Sequence, residues 1–321
     1  AIDCYTRSLE LARGIGDKGY ECENLMMIGH ACVGTKGLGD YPRAAAHFEA
    51  ALDIARAADL QWHLGPTLLG LDHVRACTGR YGPAWLRMQE TLRWLESLEQ
   101  VRYQLIAHDF IGYLLLDLGL NERALEHLGR GLALGHDTGI MFWRATIDTH
   151  FAVAQARLGR TDAALGLAPA LQATLEQTRR TAERYLTVRC LDGLAELALA
   201  AGDVGRCRDC ADEMLAIAGP NRLREIEALA RRWRGEAHLA EKSYPQARTE
   251  LDRAAALADD IGRVRLQMDV QTALARLCGM QGRDDAAQRH RDRARAIAHQ
   301  IETSLVSSGL QAQWHAAGES R

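Results

Sequence analysis

A turn signal recurs along almost the whole chain at a nearly constant interval. It reads Gly39-Asp-Tyr-Pro-Arg-Ala44, Gly79-Arg-Tyr-Gly-Pro-Ala84, Gly119-Leu-Asn-Glu-Arg-Ala124, Gly159-Arg-Thr-Asp-Ala-Ala164, Gly202-Asp-Val-Gly-Arg-Cys207, Lys242-Ser-Tyr-Pro-Gln-Ala247 and Gly282-Arg-Asp-Asp-Ala-Ala287. The turns step by 40, 40, 40, 43, 40 and 40 residues. Self-similarity at such a period is the signature of a stacked-repeat array. It constrains the chain more than any single residue does. An array grows by stacking, so 321 residues form one elongated unit here, where length alone would suggest two globular domains.

What lies between the turns is helical. The chain holds 6 prolines and is rich in Ala, Leu and Arg, which favours helix throughout. Aligning the segment after each turn gives a small-residue column: Ala44, Ala84, Ala124, Ala164, Cys207, Ala247 and Ala287. Four residues on stand Phe48, Met88, Leu128, Ala168, Ala211 and Leu251. Ten residues past the small one stand Ile54, Trp94, Leu134, Thr174, Ile217, Leu257 and Ile297, the same apolar stripe of an amphipathic helix. The segments before the turns align as well. They carry Gly29, Asp72, Gly112, Ala152, Ala195, Gly235 and Ala275 in one column, small in all but one repeat. The first repeat needs a three-residue insertion at Gly34-Thr-Lys36 to keep register.

These columns resemble the tetratricopeptide repeat, carried best by Gly112, Gly119, Ala124 and Leu128 and by Gly29, Gly39-Asp-Tyr, Ala44, Phe48 and Ala51. The resemblance implies an all-α, right-handed superhelical α-solenoid of TPR-like helical hairpins. The period exceeds the family's usual value of about 34, and the closing Pro of the motif is missing. The expected division is a partial repeat over 1–16, then hairpins over about 17–58, 59–98, 99–138, 139–181, 182–221 and 222–261, with a terminal hairpin and cap over 262–321. Long repeats of this kind look like the carboxy-terminal sensor arrays of bacterial STAND-class signalling ATPases and cyclase-type regulators. Ala1 aligns with Ala44, Ala84 and Ala124, inside the second helix of a hairpin. The expectation is therefore a piece of a longer chain, with an apolar face left uncovered at its start.

Motifs that could carry chemistry have plainer readings. Gly14-Ile-Gly16-Asp-Lys-Gly19 fits G-x-G-x-x-G, but a dinucleotide loop needs a strand before it, and a helix stands there. Gly29 to Lys36 lacks the Gly-Lys-Ser/Thr order of a phosphate loop. Cys207-Arg-Asp-Cys210 has no second pair at zinc spacing, and Cys207 sits in the small-residue column, so packing explains it. No H-E-x-x-H or G-x-S-x-G is present. The reading is therefore no enzyme, no cofactor, no metal and no catalytic residues. The basic stretches Arg231-Arg-Trp-Arg234 and Arg289-His-Arg-Asp-Arg-Ala-Arg295 have acids interleaved or close by and read as solvated helix faces. With a net charge of −3, nucleic acid is not an expected partner. The 8 cysteines are scattered, as in reduced thiols of a cytoplasmic protein. The most apolar run, 105–120, holds His108, Asp109 and Asp117 and is no membrane span.

The inner, concave side of such an array is lined by its first helices and is its usual binding surface. By analogy with tetratricopeptide arrays, two columns four residues apart face it. One runs Met26, Leu69, Asp109, Thr149, Asp192, Arg232, Thr272; the other runs His30, His73, Tyr113, Val153, Glu196, Glu236, Arg276. The ligand- or partner-binding residues expected from them are His30, His73, Asp109, Tyr113, Asp192, Glu196, Arg232, Glu236 and Arg276. The carboxylates among these favour a partner with a basic or mixed segment. The functional expectation is a non-catalytic regulatory or sensor module of a larger bacterial signalling protein. It would bind a protein, peptide or small inducer, and its partner could be an output domain of the same chain. The alternative is a stand-alone adaptor or scaffold bridging two proteins; self-association through the uncovered first helix is a further expectation.

Overall fold

The computed structural model describes residues 2–33, 38–135, 141–181 and 183–319. The insertion expected at Gly34-Thr-Lys36 lies outside them. Among the described residues there are sixteen helices and no strand. Helix α1 (Ile2–Ile15) stands first. Seven hairpins follow: α2 (Lys18–Cys32) with α3 (Tyr41–Ala57), α4 (Gln61–Cys77) with α5 (Tyr81–Ser97), α6 (Val101–Leu118) with α7 (Asn121–Gly135), α8 (Met141–Arg157) with α9 (Thr161–Thr181), α10 (Arg184–Ala200) with α11 (Val204–Asn221), α12 (Arg224–Ala240) with α13 (Tyr244–Ile261), and α14 (Val264–Met280) with α15 (Asp284–Ser304). The short α16 (Gln311–Glu319) ends the chain.

The turn column works through backbone geometry. Gly39, Gly79, Gly119, Gly159, Gly202 and Gly282 all sit at positive φ, where a Cβ is strained. Where glycine is replaced, Lys242 still adopts φ 60°. Asp40 and Asp203, next to such turns, accept hydrogen bonds from the amides of Arg43 and Arg206 and so cap α3 and α11. Gly16, φ 74°, turns α1 into α2, and Asp17 caps α2, so the G-x-G-x-x-G stretch is an interhelical turn.

Within a hairpin the two helices meet where the columns are small. Ala44, Ala84, Ala124, Ala164, Cys207, Ala247 and Ala287 are all buried. A Cβ placed on Gly112 would lie 2.5 Å from Leu128 Cδ2, on Gly235 2.6 Å from Leu251 Cγ, and on Gly29 2.9 Å from Phe48 Cε1. A large residue on the second helix thus fits the gap left by glycine on the first. Where the first helix carries Ala152 or Ala195, the second carries Ala168 or Ala211. In the three glycine hairpins the large side chain fills the space the glycine leaves, as close packing requires. Asp72 breaks the column: it is fully buried and held by Arg75 at 2.5 Å and Arg87 at 3.2 Å.

The two ends of the array also meet, which periodicity alone does not imply. A Cβ on Gly82, at the start of α5, would fall 1.9 Å from the carbonyl oxygen of Ser304, at the end of α15. Gly39 and Gly79 abut Ile261 and Val264 in the same way, at 3.0 Å. The centre of this closure is Arg263, only 5% exposed in its side chain. It donates to both oxygens of Asp117 at 2.8 and 3.1 Å and to Tyr113 Oη at 2.7 Å. Glu225 lies 3.5 Å away and accepts the Tyr41 hydroxyl at 2.7 Å. Tyr81 donates to Asp117 at 3.3 Å. Arg123 of α7 reaches Gln313 of α16 at 2.7 Å.

Gly112→Ala is expected to destabilise the chain by about 1–3 kcal/mol in urea unfolding, because Leu128 must move. Adding Leu128→Ala should cost less in that background than in the wild type; strict additivity would refute the volume match. Arg263→Met leaves Asp117 and Glu225 buried without their cation. It should cost about 3–5 kcal/mol and enlarge the radius of gyration in X-ray scattering.

Candidate functional site

Helices α6, α8, α10, α12 and α14 stand side by side along the inner face, and a cavity of about 60 Å³ opens between them. Its polar lining joins neighbouring repeats. Arg157 of α8 forms a two-point pair with Glu196 of α10, at 2.5 and 3.0 Å, and also donates to the Leu116 carbonyl of α6 at 2.9 Å. Asp192 of α10 accepts the Trp233 indole N–H of α12 at 2.7 Å. Arg232 of α12 stands 3.7 Å from Asp269 of α14, which Arg265 approaches to 2.9 Å. Burial alone would raise Glu196 and Asp269. The guanidinium of Arg157, and those of Arg265 and Arg232, outweigh it and hold both carboxyls below the usual range. Burial pushes the Tyr113 phenol up to about 12.

Of the nine residues expected from sequence, Tyr113, Asp192, Glu196 and Arg232 line this cavity. The other five are placed elsewhere. His30 is half-buried, edge-on to Phe48 at 4.9 Å. His73 is buried and stacked on Phe110 at 4.9 Å, and desolvation drives its pKa well below the usual value, so it stays neutral. Asp109 is buried on His150 at 2.8 Å. Glu236 is buried and paired with Arg276, which is itself exposed. Asp192, Glu196 and Glu236, the carboxylates expected to favour a basic or mixed segment, each hold an internal donor.

Sequence reasoning missed Asp117, His150, Arg157, Arg189, Trp233, Arg263, Arg265 and Asp269, all part of the lining. Two further columns would have found four of them. Three residues before the Asp192 column stand Arg189 and Asp269, and four after the Tyr113 column stand Asp117 and Arg157. Both offsets keep a residue on the same helix face. Arg263 and Arg265 arrive only through closure, which carries no local signal.

The early histidines assemble no metal site: among the described residues no group of three His, Cys, Asp or Glu could hold an ion. His108 and His127 instead face each other, Nδ1 to Nδ1 at 3.1 Å, and both are buried. One ring donates to the other, which accepts. Desolvation lowers His108 to about 4 and His127 to about 3. Cys207 and Cys210 are buried thiols that desolvation raises to about 12 and 11, far from a reactive thiolate. The basic stretch at Arg231 is absorbed by Glu227, Glu250, Asp269 and Asp212. No helix among the described residues is long and apolar enough to cross a membrane.

No protein-family model matches the chain, and no curated protein sequence matches it. Solved structures do. A Rap protein complexed with Competence and Sporulation Factor overlays with a TM-score of 0.67 at 14% identity, covering 89% of this chain and 76% of that one. The Rap conjugation gene regulator of the plasmid pLS20, in complex with the Phr* peptide, overlays with a TM-score of 0.65 at 13% identity, covering 91% and 77%. At these identities the likeness is one of fold. The chain is an all-α, right-handed superhelical solenoid of TPR-like hairpins.

The histidine pair sets an acid limit. Both folded pKa values lie below the unfolded value near 6.5, so the unfolded chain takes up protons first. The pair's contribution is complete above pH 6.5 and is lost as pH falls toward 4. Urea midpoints measured over that range should fall less steeply in a His108→Gln/His127→Gln variant than in the wild type.

Proposed function

We propose that the chain is a non-catalytic interaction module that captures a protein or peptide segment on its inner face and relays that event to a regulatory output. The observation that carries this reading is the polar cavity itself. Side chains of five successive first helices converge on it, from five different repeats. A surface assembled this way reports on the relative position of every repeat it spans, so a ligand there is coupled to the curvature of the array. The fold likeness supports the reading, since both Rap structures were solved as complexes, one of them with a peptide.

A cavity of about 60 Å³ has room for roughly two waters. It therefore takes only the anchoring group of a longer peptide, and the rest of the segment lies outside it. The membership of a larger cytoplasmic signalling chain, of the STAND or cyclase-regulator type, rests on the sequence resemblance and is tested by reading the frame upstream of Ala1.

Peptides selected from a random display library against the full chain should protect amides of α6, α8, α10, α12 and α14 from hydrogen exchange. Protection confined to the outer helices α7, α9, α11 and α13 would overturn the inner-face assignment.

A further inference from the structure

The cavity lining carries five guanidinium groups, from Arg157, Arg189, Arg232, Arg263 and Arg265, against four carboxylates, from Asp117, Asp192, Glu196 and Asp269. The pairing is uneven, and geometry identifies the guanidinium that has no carboxylate of its own. Arg157 is matched by Glu196, Arg263 by Asp117 with Glu225 behind it, and Arg232 and Arg265 share Asp269. Arg189 has no carboxylate within ion-pairing distance among the described residues. Its Nε lies 3.4 Å from Tyr185 Oη, and its guanidinium carbon stands 4.9 Å over the Tyr113 ring and 5.7 Å over that of Tyr185. Asp192, one turn along the same helix, attracts it electrostatically but has its Oδ1 on the Trp233 indole.

Three polar atoms of the lining are buried without a hydrogen-bond partner, Arg232 Nε, Arg265 Nε and His150 Nε2, of which Arg265 Nε faces Asp269 at 2.9 Å. A buried donor or acceptor left unmade is costly, and such atoms in a lining mark where a ligand atom belongs. Resting on the inner-face reading above, we propose that this cavity is an oxyanion subsite in which Arg189 receives the carboxylate or phosphate group of the bound ligand. Tyr113 and Tyr185 hold the guanidinium plane against their rings, leaving its N–H edge for a two-point contact. Arg232 Nε–H supplies a second donor. His150 faces Asp109 through Nδ1, which leaves Nε2 as a second polar atom for the ligand. The cavity volume suits the anionic group and excludes the rest of a peptide. The sign is the reverse of the basic partner expected from the carboxylates.

The test uses the full chain with sodium acetate and sodium phosphate as probes, against sodium chloride at matched ionic strength. In parallel, the inner-face peptides selected above are measured with free and amidated carboxy termini, in wild type, Arg189→Gln and Arg189→Lys. Acetate or phosphate should raise the melting temperature of the wild type above the chloride control and should not do so in Arg189→Gln. A response to phosphate alone identifies a phosphoryl ligand; loss of affinity on amidation identifies a peptide carboxylate. Arg189→Gln should weaken the anionic form roughly tenfold or more, with Arg189→Lys between the two. Equal anion responses in wild type and Arg189→Gln overturn the subsite. Peptide binding indifferent to both amidation and Arg189→Gln overturns it while leaving the inner-face reading intact. An Arg189-dependent anion response with no inner-face peptide retains the subsite and removes the peptide reading. Circular dichroism of both variants establishes that they are folded.

Discussion

The contact on which the rest of this molecule depends is the one between Arg263 and Asp117. A guanidinium and a carboxylate with side chains 5% and 9% exposed have both lost most of their hydration, a cost of several kcal/mol per ion. The two-point geometry, the Tyr113 hydroxyl and the nearby Glu225 offset that cost. Neither partner is tolerable alone, so the pair enforces one relative placement of α6 and the start of α14. An open array would leave both charges in a surface groove and would lose nothing by flexing.

Closure changes how stability is distributed. In an ordinary solenoid each repeat touches only its neighbours, and the total is a sum of local and nearest-neighbour terms. Here the turns at Gly39, Gly79 and Gly82 pack against Ile261, Val264 and Ser304, contacts with sequence separations of more than 150 residues. They reward only a complete array with the right curvature. Curvature in turn is set by the size-matched hairpins: Phe48 against Gly29, Leu128 against Gly112 and Leu251 against Gly235. An error of one methyl group there, repeated along the stack, would carry the two ends past one another.

The same closure produces the candidate site. The inner columns place Tyr113, Asp192, Glu196 and Arg232 side by side, but it is the return of the late repeats that adds Arg263 and Arg265 and shuts the groove down to a cavity. Most charges of the lining settle into pairs; among the described residues Arg189 has no carboxylate within ion-pairing distance, and Asp192 is held by the Trp233 indole. The carboxylates looked available as a column; in space each has a donor.

The periodic turns, the small-residue columns and the helical pairing were all legible in the chain, because they rest on local physics. Positive φ calls for glycine, close helix contact calls for alanine, and an amphipathic stripe recurs at the helical period. Tyr113, Asp192, Glu196 and Arg232 of the lining were legible for the same reason. Positions on one helix face are related by fixed offsets, and reading the columns at Arg189 and at Asp117 would have supplied much of the rest. What only the tertiary structure decided is which charges find each other. That Arg263 meets Asp117, and that Arg189 meets no carboxylate among the described residues, depends on the summed rotation of all the repeats between them. Sequence periodicity carries the existence of that rotation but not its accumulated angle.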